Sequence, residues 1–399
     1  MSRGADVIVV GGGVIGSAVT YYLAKEGLDV CLVDRGDVAS GTSSACDGNV
    51  LATDKEPGFD SQMTLKSQLL FRDLQEELSY DFEYRQRGST LAVEDEEQEK
   101  VARDWVSRQV AAGLPMRYVE REEVHDLEPM IADDIIGLVE CASDLSLNPM
   151  ALVFAFVHAA ESLGARIMRF REVKGILRDA KGAVKGVDTA EGPIESKRVV
   201  LSAGVWSPFI AKTVGVDLPV IPRKGAILVS ERTFVVGRRK VMEFGYLMTK
   251  FGGGCSRKVE PDMDKYGIAM VFEPTPHGNF LIGSSREFVG FDRTCTSEVL
   301  TLMARRAIRF FPAIKDVKVI RSYAGLRPYT PDHLPIVSPV DRIPGLYIAT
   351  GHEGDGIGLS PITGKVISEM ITGKPTSISV EPLRLDRFEK KAAGAKTTA

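Results

Sequence analysis

The sequence predicts an α/β fold, α+β overall, and three observations carry that prediction. A short β-branched run, Asp6-Val-Ile-Val-Val10, leads straight into Gly11-Gly-Gly13-Val-Ile-Gly16. A second apolar run, Val30-Cys-Leu-Val33, follows a helical stretch and ends on Asp34. From Pro222 to about Phe311 the texture changes to short strands joined by turn-rich segments. The first two describe a Rossmann-type dinucleotide-binding domain with a parallel sheet, the third an antiparallel-sheet domain beside it.

The first 34 residues organise the rest. Ile15, Ala18, Val19, Tyr22 and Leu23 fall at helical spacing, and Gly27 stops the helix. Gly11 permits the tight turn, Gly13 lets a pyrophosphate approach the backbone, and Gly16 lets helix and strand pack closely. The helix N-terminus, at Val14 and Ile15, offers unpaired N–H groups and partial positive charge to phosphates. Asp34 is placed to accept hydrogen bonds from ribose hydroxyls, and its charge disfavours a 2′-phosphate and hence NADP. A lone glycine motif is weak evidence; here strand, turn, helix, strand and acid all occur in order. The motif does not choose between NAD and FAD.

At 399 residues the chain exceeds one ordinary core, so two domains are expected. A hydrophobic content of 44% with 26% charged residues belongs to a globular protein in water. A net charge of −4 gives no reason to expect nucleic acid or an anionic membrane as partner. No apolar run approaches the length of a membrane helix, and the first strand begins too early for a signal peptide, so a cytoplasmic protein is expected. Cys31, Cys46, Cys141, Cys255 and Cys295 are scattered, with no CxxC, which argues against a disulfide framework and against a zinc or iron–sulfur site.

After Asp34, the small polar run Arg35 to Gly48 is too polar for a strand and too Gly-rich for a helix. It reads either as a plain loop or as a second cradle, in which Gly41, Thr42, Ser43, Ser44 and Gly48 meet phosphate and ring. Met63 to Leu78 reads as a helix packed on one face, and Leu91 to Val110 as a solvated charged helix. Asn148-Pro149 reads as a helix cap and first residue, with His158 an ordinary residue of that helix. Strands are expected at 165–170, 173–177, 186–189 and 198–204, the last ending in small residues where a backbone passes close to a ligand. Trp206 follows as a lid or core aromatic. Further strands are expected at 226–229, 267–272 and 279–283, an amphipathic helix from Met303 to Phe311, and a frayed tail from Lys390. Near the end, Gly345 to Pro361 reads as a strand, a Gly-rich turn and the start of a helix.

Three separated pieces, the glycine motif with Asp34, Tyr323-to-Asp332 and Ala349-to-Ile357, together resemble the FAD-dependent amine and amino-acid oxidoreductases of the D-amino-acid oxidase superfamily. Within that group the chain is most similar to the catalytic β subunits of heteromeric proline, hydroxyproline, opine and cyanide-forming dehydrogenases. The resemblance implies non-covalent FAD. It implies contacts from Gly11, Gly13, Val14, Ile15, Gly16, Asp34, Arg35, the Gly41–Gly48 loop, the strand at Val173, Ala203, Gly204, Trp206 and Gly325. It also implies that Gly351, His352, Glu353, Gly354, Asp355, Gly356, Ile357 and Gly358 form the turn at the flavin pyrimidine edge. The discontinuous domains expected are 1–85, 146–221 and 323–399 for FAD, and 86–145 with 222–322 for substrate.

Arg327 is matched to the family arginine that pairs with the substrate carboxylate, a planar fork suited to bidentate recognition. Val271 and Glu273 stand where several relatives carry a tyrosine, so Tyr246 or Tyr329 is expected to substitute, and Glu273 either to meet a cationic substrate group or, the simpler reading, to make a surface salt bridge. His352 shapes the pocket or only packs. The implied reaction oxidises the C–N bond of a small amino acid or secondary amine by hydride transfer to flavin N5, giving an imine. Electrons are expected to pass to partner subunits, a quinone or a dye, in a homo- or hetero-oligomer. Two alternatives stand beside it: a hydroxy-acid or glycerol-phosphate dehydrogenase on the same fold, and a non-catalytic FAD-carrying electron-transfer subunit.

Overall fold

The computed structural model describes residues 4–251 and 257–388. Cys255 and the tail from Lys390 lie outside the described residues.

The chain begins as a strand because Val7–Val10 is apolar at every position, and it becomes the centre of a six-stranded sheet. The order across that sheet is Ile336–Pro339, Leu346–Thr350, Val199–Leu201, Val7–Val10, Val30–Val33 and Arg166–Met168. All neighbours run parallel except the edge strand Ile336–Pro339. Both faces are covered, which is why the strands are unbroken apolar runs rather than alternating ones. Val7, Val9, Val30 and Leu32 face a helical layer formed by Val14–Lys25, Pro149–Ser162 and Gly356–Thr372. Ile8, Val10, Cys31 and Val33 face a three-stranded antiparallel sheet, Val173–Arg178, Val184–Thr189 and Ile194–Glu195. Asn148 caps its helix as expected, its Oδ1 accepting the Ala151 N–H at 3.2 Å.

The second sheet has eight strands, in the order Val319–Tyr329, Ile221–Ser230, Phe280–Gly283, Val271–Pro274, Lys240–Glu243, Ser89–Val93, Gly137–Cys141 and Met116–Val119. It is antiparallel except where Lys240–Glu243 meets Ser89–Val93, the seam between its early and late segments. Behind it, Phe272, Phe310 and Phe311 anchor a separate apolar core. The paired strands Ile221–Ser230 and Val319–Tyr329 reach back to the first domain: Thr42 Oγ1 donates to the Leu326 carbonyl at 2.7 Å.

Three expected elements differ. Leu91 to Val93 belong to the buried strand Ser89–Val93, and only Glu96–Ala111 is helical, capped by Asp95. Burial of Leu91 and Val93 against the second sheet outweighs the charged run that follows. The late amphipathic helix begins at Ser297, not Met303, because Thr296 caps it. Gly267 to Met270 is not strand: Gly267 sits at φ +56° after a short helix, and pairing starts at Val271. Among the described residues, no helix is long and apolar enough to cross a membrane.

Candidate active site

One cavity of about 750 Å³ runs between the two sheets. At one end it meets the first turn. Gly11 sits at φ +110°, and a Cβ there would lie 2.6 Å from the Ser202 carbonyl oxygen, so only glycine fits. Above Gly13 the nearest atom to an added Cβ is Ser43 Oγ at 3.4 Å, so the space over the helix N-terminus is open to the cavity. Gly16 lies behind the wall: its Cβ would strike the Gly11 carbonyl at 1.8 Å, and that contact closes helix onto strand. Asp34 is fixed by two backbone donors, Gly12 N–H at 2.6 Å and Gly36 N–H at 2.7 Å, and still lines the cavity. Arg35 lies 4.2 Å from the Trp206 ring centre.

The 41–48 run is neither plain loop nor strand. Thr42–Ser44 forms a short 3-10 turn over the first helix, and Ser43 Oγ accepts the Val14 N–H at 3.0 Å. Gly41, Thr42 and Ser43 face the cavity with Ala45, Cys46 and Asp47. Ser44 points outward and bonds the Gly41 carbonyl, while Gly48 packs on the Leu147 carbonyl.

Ile15, Val173, Ala203, Gly204, Trp206 and Gly325 also line the cavity, as do His352, Glu353, Gly354, Asp355, Gly356 and Ile357. The last three open the helix Gly356–Thr372, so a second helix N-terminus faces the same space. Gly351 and Gly358 sit behind this turn, against Thr330 and Val50. His352 is buried with Nε2 3.0 Å from Thr363 Oγ1, and burial pushes its pKa down to about 3, so the ring is neutral. Lys55 ties the turn down from the other wall, pairing Asp355 at 2.8 Å and also Asp54.

Arg327 lies half-buried on the eleven-residue strand Val319–Tyr329. Its two terminal nitrogens donate to the Ser285 carbonyl at 3.1 Å and to Ser284 Oγ at 3.0 Å. Its guanidinium lies flat over Gly225, where an added Cβ would come within 2.4 Å of its carbon. Burial, then repulsion from Arg286, draws its pKa down to about 10. Tyr246 lines the cavity under Arg286, whose guanidinium carbon is 3.6 Å from the ring centre. Tyr329 is outside the lining, packed edge-on to Phe288 and His333.

Glu273 is not a surface salt bridge. It is buried, and both carboxyl oxygens accept the Gly48 N–H, at 3.1 and 3.2 Å. Burial, with Asp47 adding repulsion, pushes its pKa up to about 8. It therefore tethers the 41–48 run to the second sheet. Sequence reasoning also missed Arg223, Arg286, Lys240, Asp47 and Lys55, all of which line the cavity. Arg223 carried one signal, a charge at the head of an apolar strand; its place directly opposite Arg327 shows only in the pairing.

An extended dinucleotide fits these features: open space over Gly13, a fixed acid at Asp34, and two helix N-termini on one cavity. A family model described as FAD dependent oxidoreductase matches residues 6–370. The chain is similar to the hydrogen cyanide synthase subunit HcnC of Pseudomonas aeruginosa, 26% identical with 100% of each protein covered. It is 29% identical to the glycine oxidase of Geobacillus kaustophilus over 97% of this chain and 98% of that one. The crystal structure of that glycine oxidase superposes with a TM-score of 0.84, at 26% identity, covering 96% of this chain and 99% of the other. The L-proline dehydrogenase structure from P. horikoshii gives a TM-score of 0.87 over 98% and 99%, and at 24% identity it speaks to the fold alone. With the model spanning nearly its whole length, the chain belongs to the FAD dependent oxidoreductase family.

Proposed function

We propose that the chain oxidises the C–N bond of a small amino acid or secondary amine, with FAD held non-covalently along the cavity. The observation that carries this reading is Arg327. It is a half-buried guanidinium in the same cavity as the open space over Gly13 and the turn His352–Ile357.

The cradle residues would hold FAD in two places. The Gly13–Ile15 helix start and Ser43 suit the pyrophosphate, and Asp34 suits the ribose. The N–H groups at Gly356 and Ile357 suit the ring edge that becomes anionic on reduction. When bound, FAD supplies the hydride acceptor. The protein's part is placement and field. Ser284 and Ser285 fix the Arg327 fork so that its remaining N–H groups meet a carboxylate, orienting the α-carbon next to it. Arg223, Lys240, Arg286 and Arg327 face the cavity, offset in part by Glu353 on Arg223 and Asp47 beside Lys240, and the positive charge that remains favours a substrate amine that binds neutral. A strong general base is then unnecessary. His352, being neutral, adds no charge to that field. Similarity to a protein named as a synthase subunit supports an electron acceptor held in a partner, with a dye or quinone able to replace it.

The test is Arg327→Ala. Losing a charge-assisted bidentate contact costs about 2–4 kcal/mol in a desolvated pocket. Flavin reduction by amino acids should slow by roughly two to three orders of magnitude with the FAD spectrum intact. An Arg327→Ala variant that keeps FAD and reduces it at the wild-type rate would refute the reading.

A further inference from the structure

One wall of the cavity carries three arginines, Arg223, Arg286 and Arg327, where a single carboxylate calls for one. Arg223 and Arg327 are directly opposed in the antiparallel pairing of Ile221–Ser230 with Val319–Tyr329. Their side chains leave the same face a few ångströms apart, which like charges disfavour unless an anion sits between them. Arg286 enters from the segment that follows Phe280–Gly283, flat on Tyr246. All three face the cavity; after burial, Arg327 and Arg286 lower the pKa of Arg223, and Arg286 lowers that of Arg327.

The protein's own anions answer them only in part: Asp47 lines the same cavity and favours the charged form of Arg327 without pairing with it. Glu353 pairs with Arg223 but is shared with His333 at 3.0 Å. Among the described residues, neither Arg286 nor Arg327 is ion-paired with a carboxylate; Arg286 donates instead to the Gly267 carbonyl at 3.2 Å, and Arg327 to Ser284 and Ser285. The Nε atoms of Arg223 and Arg286 are buried with no hydrogen-bond partner. A buried donor calls for a partner, and for these two arginines the cavity is where one can be supplied. A single substrate carboxylate on Arg327 would leave Arg286 and the Nε of Arg223 unanswered. The FAD phosphates do not answer them, since the open space over Gly13 lies with the helix N-terminus at the other end of the cavity.

We propose that the substrate is a small amino acid or secondary amine bearing two carboxylates, one taken by Arg327 and the other by Arg286 with the Nε of Arg223. Two arginines rising from opposed positions of one strand pair are spaced for two groups on one short molecule, and the planar fork favours carboxylate at each. The proposal rests on the C–N oxidation reading for the amine and on the arginines alone for the second acid.

Binding and turnover test it separately. The FAD-loaded chain is titrated with acetate, malonate and succinate, which have no amine to oxidise, and the flavin absorbance change is followed. Malonate or succinate should bind at least ten-fold more tightly than acetate; equal affinities overturn the proposal. Anaerobic flavin reduction is then compared for glycine, alanine, proline and N-methylglycine against aspartate, glutamate and iminodiacetate. The dicarboxylic set should show a rate per unit concentration at least ten-fold higher. Arg286→Gln should cost the dicarboxylic set at least ten-fold more than the monocarboxylic set, with Arg286→Lys recovering part of the difference. Equal losses in the two sets overturn the proposal. If no amine in either set reduces the flavin, the C–N reading fails, and the malonate and succinate titration still decides the second carboxylate.

Discussion

Gly225→Ala isolates the placement of Arg327 from its charge. Gly225 lies mid-strand, pairs with Gly325, and has no left-handed backbone, so alanine fits the local conformation. The added Cβ would lie 2.3 Å from both terminal nitrogens of Arg327, against about 3.4 Å for ordinary contact. The guanidinium is the far end of a flexible side chain and must retreat by about 1 Å, stretching its bonds to Ser284 and Ser285. A misplacement of about 1 Å in a positioned binding group costs on the order of 10²-fold in rate, or about 2.7 kcal/mol at 1.36 kcal/mol per decade. The backbone gains instead, since removing a strand glycine is worth about 0.5–1 kcal/mol. The expected variant is as stable as the parent, fully yellow, and roughly a hundred-fold slower in anaerobic flavin reduction at limiting amino acid. Stopped-flow absorbance reads the rate, and the FAD-to-protein ratio checks the cradle. A wild-type rate at full FAD content would refute the claim that Arg327 works from its position over Gly225.

Two further outcomes follow from the cradle and the second core. Gly13→Val places a branched side chain in the open space over the first helix and should give colourless protein, read from the absorbance of the purified chain; normal flavin content would count against that use of the space. Burial pushes Glu128, whose carboxyl oxygens have no hydrogen-bond partner, up to about 8. Its folded-state pKa is raised, so the native protein holds a proton that the unfolded chain releases, and that stability is lost between about pH 4.5 and 8. The slope is at most about 1.4 kcal/mol per pH unit. Glu128→Gln should therefore raise Tm at pH 8.5 and change it little at pH 5, and an equal effect at both would exclude the linkage.

The cofactor end of the site was legible in the sequence because its parts are local. Strand, glycine turn, helix and acid follow one another within 34 residues, and each announces itself by spacing. Gly351 to Gly358 was legible for the same reason. The substrate end was not. Arg223 and Arg327 meet only through strand pairing, and nothing near either residue states its partner. Gly325, two residues before Arg327, lets the strand lie on the Ala45 carbonyl, 2.3 Å from where a Cβ would be, a contact across the fold that the local sequence does not state. Glu273 looked like a solvent-facing charge in a strand, and its burial depends on the distant Gly48.

The order of strands in the six-stranded sheet bears on how the chain is made. Its middle strands, Val199–Leu201 and Val7–Val10, are joined by Leu346–Thr350 from near the other end of the sequence. The helix Gly356–Thr372 then crosses Val14–Lys25 so closely that a Cβ on Gly364 would touch the Ala18 backbone at 2.8 Å. A nascent chain on the ribosome can assemble the glycine turn early but cannot close the cavity until the last helix has emerged. Such long-range parallel pairing folds slowly and leaves apolar strand edges exposed meanwhile. Flavin capture is thereby a late event in biogenesis.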